Sequence, residues 1–320
     1  MNGKVREEIM KTKVYIDGQS GTTGLQIYDR IGQREDLELL RIPEELRLDP
    51  DERKKYLNSA DIVFLCLPDE GAREAVSFID NPNVRVIDAS TAHRTNPDWT
   101  YGYPELSKAQ REAIRTSKRV ANPGCHATGF ISTTAPLVAM GVLPKDYPMS
   151  CYSLTGYSGG GKKMIAEYEA EGRSELLDAP GIYGLNLQHK HLPEMQTVTG
   201  LAYPPVFMPV VDDYYKGMAT TIMLQNRLLP GQPSAEEICA KLADYYRDEH
   251  FVSVVPFGEN DSKLYANKLA GTNRLEIVVC GHEEQTTVTA VFDNLGKGAS
   301  GAAVQNMNIM LGLPEETGLE

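Results

Sequence analysis

Along the first third of the chain, short and nearly continuous apolar runs alternate with stretches whose apolar residues recur at helical spacing. Residues 13–18 (KVYIDG), 37–42 (LELLRI), 61–68 (DIVFLCLP), 84–90 (VRVIDAS) and 119–122 (RVAN) read as strands. Residues 22–33, 50–60 and 70–79 lie between them and read as helices. Strands that are apolar on both faces and separated by helices predict a parallel sheet covered on both sides. From residue 125 onward the stretch CHATGFISTTAPLVAMGVL places Phe130, Ile131, Thr134, Leu137, Val138 and Gly141 close to a helical repeat. Pro136 is expected to start a fresh turn there or to kink the helix, because it lacks an N–H and crowds the preceding turn.

The chain has 320 residues, 41% hydrophobic and 24% charged, enough for one large domain or two of medium size with a full core. A net charge of −12 argues against a nucleic-acid or anionic-membrane partner, so any anion site has to be local. No apolar run approaches the roughly 18–20 residues of a membrane span, and MNGKVREEIMKTK carries charges where a secretory signal would be apolar. A cytoplasmic location is therefore expected. Residues 1–10 precede the first strand without a motif and read as an extension or an additional helix. The five cysteines, Cys66, Cys125, Cys151, Cys239 and Cys280, are odd in number and lack a C-x-x-C pair, so neither a disulfide framework nor a zinc site is indicated. Four of them read as small buried hydrophobes, and Cys125 is the exception.

The first strand runs into DGQSGTTGLQI, which sets Gly18, Gly21 and Gly24 three apart at a strand-to-helix turn. Glycines there let the backbone approach a pyrophosphate, and the helix N-terminus offers it free N–H groups. The spacing is not G-x-G-x-x-G, and a plain structural turn is the alternative; the strand before and the helix after favour a dinucleotide. Ser20, Thr22 and Thr23 complete the candidate cradle. At the end of the second strand an acidic residue would suit a ribose 2′-OH and an arginine a 2′-phosphate. Arg41 stands near that end, with Glu38 earlier, which points to NADP, a solvated arginine being the alternative.

Asn122-Pro123-Gly124 is a turn signal after a strand, and it places Cys125 at the mouth of a helix. The positive end of the helix dipole and its free N–H groups favour a thiolate there and suit an oxyanion on a carbon that sulfur attacks. A buried structural cysteine remains the bland alternative. In LNLQHKHLPEMQ, His189 or His191 could act as acid/base, oriented by Glu194. The H-x-H spacing also suits a metal, although no further ligand cluster lies nearby in sequence. The loop TGYSGGGKKMI opens another helix with Lys162 and Lys163 just inside, and Arg94 follows a strand end where its fork could hold a phosphate or carboxylate.

Taken together, GQSGTTGLQI (18–27), ANPGCHATGF (121–130), SGGGKK (158–163), HKHLPE (189–194), PVFMPVVDDYYKGM (205–218) and DNLGKGASGAAVQNMNIM (293–310) span nearly the whole chain. In this order they resemble the N-acetyl-gamma-glutamyl-phosphate reductase family in its shorter form, itself similar to aspartate-semialdehyde dehydrogenase and more distantly to glyceraldehyde-3-phosphate dehydrogenase. The resemblance implies an α/β fold: an NADP-binding Rossmann domain plus a mixed α/β substrate and oligomerisation domain of the glyceraldehyde-3-phosphate dehydrogenase-like type. The first would span 1–124, completed by 296–320, and the second 125–295. It also implies a homo-oligomer, dimer or tetramer, and a small acyl-phosphate substrate; the charge, the apolar runs and the lack of a ligand cluster point to no nucleic acid, membrane or metal.

The implied chemistry is reduction of an acyl phosphate to an aldehyde through a thioester on Cys125, with His189 as acid/base, His191 the second choice, and Glu194 placing the histidine or the substrate. Arg94, Asn122, Ser158, Lys162, Tyr183 and His191 would meet the substrate; Ser90, Gly159 and Asn294 would join the glycine turn and Arg41 around the cofactor. The chain reads S-T-A-H-R and S-G-G-G-K-K where longer members have S-x-D-F-R and S-G-A-G-R, so Lys162 stands in for an arginine. Rival readings are an aspartate-semialdehyde dehydrogenase, a lysine-pathway acyl-phosphate reductase, and an NADP-sensing regulatory protein; the last would be expected to lack Cys125 or His189.

Overall fold

The computed structural model describes residues 11–259 and 262–319, so the expectation for residues 1–10 lies outside it. Strands β1 (Thr12–Asp17), β2 (Leu37–Leu40), β3 (Ile62–Leu65), β4 (Arg85–Asp88), β5 (Thr100–Tyr101) and β6 (Arg119–Ala121) form a parallel sheet in the order β2-β1-β3-β4-β6-β5. Helices α1 (Thr22–Ile31), α2 (Pro50–Ser59), α3 (Asp69–Ser77) and α4 (Lys108–Thr116) lie between them. Successive strand residues point to opposite faces, and this sheet buries both. Val14, Ile16, Ile62, Phe64 and Ile87 pack with Ile27 and Ile31 of α1. Tyr15, Val63, Leu65 and Val86 pack with Leu57 of α2 and Ala72 and Ala75 of α3. The doubly covered parallel sheet expected from the apolar runs is therefore present. β5 and α4 fall where the pattern carries little signal: the strand is two residues long, and Ile114 is the single buried residue of the helix.

After the turn at Asn122–Gly124 the chain enters α5 (Cys125–Ala139) and a second sheet. Its elements are β7 (Ser150–Gly156), α6 (Gly161–Tyr168), β8 (Gly181–Ile182), α7 (Leu192–Thr199), β9 (Val206–Asp212), β10 (Met218–Gln225), α8 (Ala235–Tyr245), β11 (Val252–Val254), β12 (Leu275–Gly281) and β13 (Gln285–Phe292). The strands run β11-β12-β13-β10-β7-β9-β8 in mixed directions. Ile277, Val279, Val288, Ala290 and Ile222 on one face pack with Phe130 and Ile131 of α5, Met195 of α7, and Ile238 and Leu242 of α8. The other face leaves Val206, Met208 and Met223 exposed.

Pro136 does not restart or end α5, which runs through it to Ala139. The carbonyl that Pro136 leaves without its helical partner belongs to Ser132, four residues earlier, and it accepts the Tyr246 hydroxyl of the segment after α8 at 2.8 Å. A contact from distant sequence thus satisfies the group that would have opened the helix. A π-type turn at Gly296–Ser300 then leads to α9 (Gly301–Leu311), which packs against α1 and α4 and so returns the chain to the first sheet. No helix among the described residues is long and apolar enough to cross a membrane.

Candidate active site

β1 has β2 on one side and β3 on the other, and where strand order reverses like this a crevice opens beyond the strand ends. Gly18 sits at that point with φ +88, and a Cβ on it would lie 2.3 Å from the Cys66 carbonyl oxygen. A Cβ on Gly24 would meet the Gly18 oxygen at 2.4 Å, so the turn closes only with glycine at both positions. Gly21 caps α1 without a side-chain hydrogen bond, which leaves the first-turn N–H groups pointing outward. Opposite them lies the second glycine turn: a Cβ on Gly161 would come 3.9 Å from Thr22 Oγ1. Uncapped helix N–H groups facing a glycine loop across an open crevice fit the pyrophosphate of a nicotinamide dinucleotide. Arg41 lies immediately after β2, exposed, with its guanidinium 4.4 Å over the Tyr28 ring of α1.

The crevice continues into a cavity of about 330 Å³ that joins the two sheets. Thr22, Thr23, Gly159 and Asn294 line one end, and Arg94, Asn122, Cys125, Tyr183, His189 and His191 line the other. Asn294 Nδ2 donates to Ser158 Oγ at 3.0 Å, and Asn294 Oδ1 accepts the Gly217 N–H at 2.8 Å, which ties the glycine loop to the end of β13. Of the expected contacts, Gly18, Ser20, Gly21, Gly24 and Arg41 belong to the crevice rather than to the cavity wall, and Lys162, Ser90 and Glu194 are absent from that wall as well. Lys162 is exposed outside the lining, and Lys190, between the two histidines, lines the wall itself. Ser90 is turned back on its own strand, donating to Asp88 Oδ2 at 2.7 Å and accepting the Ala92 N–H at 3.1 Å, and Ala89 lines the wall there. The Asn122 side chain is likewise engaged, donating to the Ala299 carbonyl at 2.9 Å.

Cys125 is the first residue of α5, after an N-cap glycine with no capping side chain. Burial nevertheless pushes its thiol up, against the opposite pull of the His126 N–H, Arg94 and Lys190. The helix start expected to favour thiolate therefore holds a thiol at rest, because desolvation penalises the charged form more than these groups favour it.

Glu194 does not orient His189. It is buried, with Oε1 accepting Arg94 Nη1 at 2.7 Å and Oε2 accepting the Tyr101 hydroxyl at 2.8 Å and the Gly124 N–H at 3.2 Å. Arg94 also donates to the carbonyls of Asn122 (3.0 Å) and Ala89 (3.1 Å). The pair thus braces the turn that presents Cys125. These groups converge so tightly that a Cβ on Gly124 would lie 2.4 Å from Arg94 Nη1, 2.6 Å from His191 Nε2 and 2.7 Å from Glu194 Oε1.

His189 is placed by the backbone instead: its Nδ1 accepts the His191 N–H at 3.2 Å, which puts the proton of the neutral ring on Nε2. Burial, with Lys190 nearby, brings His189 down to about 4, and His191 is held well below its usual range by burial and Arg94. His126 and Gly298 line the wall and lie within the ANPGCHATGF and DNLGKGASGAAVQNMNIM motifs, without an expected role there. His126 is hidden behind its neighbour's role as nucleophile, and Gly298 packs so closely that a Cβ on it would lie 3.0 Å from Cys125 Cβ.

Two sheets of this kind have counterparts among known proteins. The semialdehyde dehydrogenase dimerisation domain matches residues 125–294, and the semialdehyde dehydrogenase NAD binding domain matches residues 33–116. N-acetyl-gamma-glutamyl-phosphate reductase 2 of Nostoc sp. is 48% identical over 97% of this chain and 99% of its own. The protein of the same name from Pseudomonas putida is 51% identical over 93% and 96%. The chain belongs to the semialdehyde dehydrogenase family, among its N-acetyl-gamma-glutamyl-phosphate reductases.

Solved aspartate semialdehyde dehydrogenases agree in fold. The Vibrio cholerae enzyme II superposes with a TM-score of 0.70 at 16% identity over 94% of this chain and 98% of its own. The Francisella tularensis enzyme gives 0.70 at 15% over 94% and 100%. In this semialdehyde dehydrogenase family member the dimerisation-domain match begins at Cys125 itself, the residue at which the chain leaves the first sheet for the second.

Proposed function

We propose that the chain catalyses NADPH-dependent reductive dephosphorylation of N-acetyl-gamma-glutamyl phosphate to N-acetylglutamate 5-semialdehyde, in arginine biosynthesis. The observation that carries this reading is Cys125 at an uncapped helix start, in one cavity with His189, His191 and Arg94 and with the glycine crevice. Relatives at 48% and 51% identity carry the reductase name, which favours the acetylated substrate over aspartate semialdehyde.

The Cys125 thiol gives its proton to the His189–His191 pair as Sγ attacks the acyl carbon, the bond from that carbon to the phosphate oxygen breaks, and phosphate leaves with the electron pair, so a thioester remains on Cys125. The acid/base work falls within the His189–His191 pair, both rings of which are neutral at working pH. The His189 Nε2–H and the free N–H groups of the α5 start donate to the oxyanions that form on that carbon. The Gly18–Gly24 turn, Gly159 and Asn294 would hold NADPH, with Arg41 toward its 2′-phosphate, and the bound nicotinamide would supply the hydride that takes the thioester to the aldehyde level. Release of the aldehyde breaks the carbon–sulfur bond and returns the electron pair to Cys125. Arg94 and Glu194 hold the turn in register, and Tyr183 and Ser158 border the acyl group.

The division into 1–124 with 296–320 and 125–295 accords with the two sheets and the return of α9. The exposed face with Val206, Met208 and Met223 supports pairing of two copies through the second sheet, in a cytoplasmic homodimer or tetramer. Phosphate-dependent NADP reduction, measured with N-acetylglutamate semialdehyde and with aspartate semialdehyde, tests the assignment. Activity with the acetylated aldehyde, lost in Cys125→Ser, is expected; preference for the unacetylated one would move the chain to the aspartate pathway.

A further inference from the structure

His126 follows the nucleophile, is buried, and has both ring nitrogens engaged: Nδ1 with Ser153 Oγ at 2.7 Å and Nε2 with Tyr183 Oη at 2.7 Å. Ser153 Oγ meets Thr220 Oγ1 at 2.8 Å, and both of these residues are fully buried. The four groups form one chain from the core at β10 to the cavity wall, where Tyr183 shares the lining with Cys125. Burial brings His126 down to about 3, helped by His189 and Lys190, so the ring is neutral and carries a single proton.

Counting protons selects a direction. If Tyr183 donated to His126, then His126 would donate to Ser153 and Ser153 to Thr220. The Thr220 proton would then end in the core, where no other acceptor among the described residues is in reach. A buried donor without an acceptor is the costly case, whereas an unused hydroxyl lone pair is not. In the opposite direction Thr220 donates to Ser153, Ser153 to Nδ1 and Nε2–H to the Tyr183 oxygen. Tyr183 then keeps its own O–H for the cavity.

We infer that His126 is a positioning residue, which fixes Tyr183 as a hydrogen-bond donor toward an oxygen of the bound acyl substrate. The nature of that oxygen rests on the acyl-phosphate reading above; the direction of the chain does not.

Histidine labelled with nitrogen-15 reads that direction in the free protein. The His126 resonances, assigned by their loss in His126→Gln, should show the Nε2–H tautomer and no titration between about pH 5 and about pH 9. The Nδ1–H tautomer, or titration in that range, overturns the inference. In the phosphate-dependent assay, Tyr183→Phe and His126→Phe should each lower kcat/KM for N-acetylglutamate semialdehyde about tenfold, the worth of one neutral hydrogen bond, with KM for NADP unchanged. The double variant should be no worse than either single one, and losses that multiply would mean that His126 does not act through Tyr183. Ser153→Ala, which removes the donor to Nδ1 and leaves the ring in place, should give a smaller loss in the same parameter and serves if His126→Phe fails to fold. Wild-type protein inactive on the aldehyde but showing the stated tautomer would remove the functional reading and leave the orientation of Tyr183 standing.

Discussion

Replacing Lys297 by methionine should destabilise the protein strongly. Lys297 is 0% exposed, and its Nζ donates to Glu105 Oε1 at 2.6 Å and to Gln305 Oε1 at 2.6 Å. Its charge also lies 5.1 Å over the Tyr103 ring and 5.8 Å over the Phe251 ring. Glu105, 1% exposed, would keep only the Gln305 amide at 2.8 Å, since its Oε2 already has no partner among the described residues. Methionine fills the lysine stem and tolerates the aromatic rings, so the change isolates the charge. Removing one partner of a buried ion pair costs about 3–5 kcal/mol, and for a chain of 320 residues each kcal/mol is worth about 1.5 °C in Tm. A fall of about 5–7 °C is therefore expected by calorimetry.

The pH dependence carries a second signature. Burial alone would raise Glu105, but Lys297 and Gln305 outweigh it and hold the carboxyl below its usual range. In the wild type this contributes stability above the unfolded carboxyl pKa, and that stability is lost as pH falls through the lower folded value. In Lys297→Met the folded carboxyl moves above its unfolded value, so the gap between the two proteins should narrow on acidification from about pH 7 to about pH 5. Glu105→Gln added to Lys297→Met should recover more than half of the loss. A single variant within about 1 kcal/mol of wild type, or a double variant as unstable as the single one, would refute the reasoning.

Gly124→Ala leaves the backbone unstrained but drives a methyl into Arg94, His191 and Glu194, each under 3.0 Å away; kcat/KM should drop by about 10²-fold, and wild-type kinetics would contradict the crowding. His189, at about 4, is neutral over the working range, and the Cys125 thiol is raised. The profile of kcat/KM should therefore climb with pH into the alkaline range and show no limb near the ordinary histidine value. His126 and His191 are buried neutral as well, so the unfolded chain binds at least two more protons below about pH 6.5, and stability should fall with acid by about 3 kcal/mol per pH unit, measured by urea titration. Arg41→Ala should raise KM for NADPH and leave KM for NADH unchanged; equal effects on both would remove Arg41 from the 2′-phosphate.

Periodicity along the chain was sufficient for five of the six strands of the first sheet, because those strands are apolar on both faces and the glycine turn has a local steric cause at Gly18 and Gly24, whereas β5 carried no such pattern. The NPGC turn likewise located the nucleophile, since a helix start is encoded in consecutive residues. What the motifs could not contain was the pairing of groups far apart in sequence. Glu194, three residues after His191, reads as a partner for the histidines, yet it bonds Arg94, 100 positions away. Pro136 reads as a break until Tyr246, from the segment after α8, supplies the missing donor. The resting state of Cys125 is decided the same way. The helix dipole that favours a thiolate is local and legible, whereas the burial that keeps a thiol exists only after two sheets close around it.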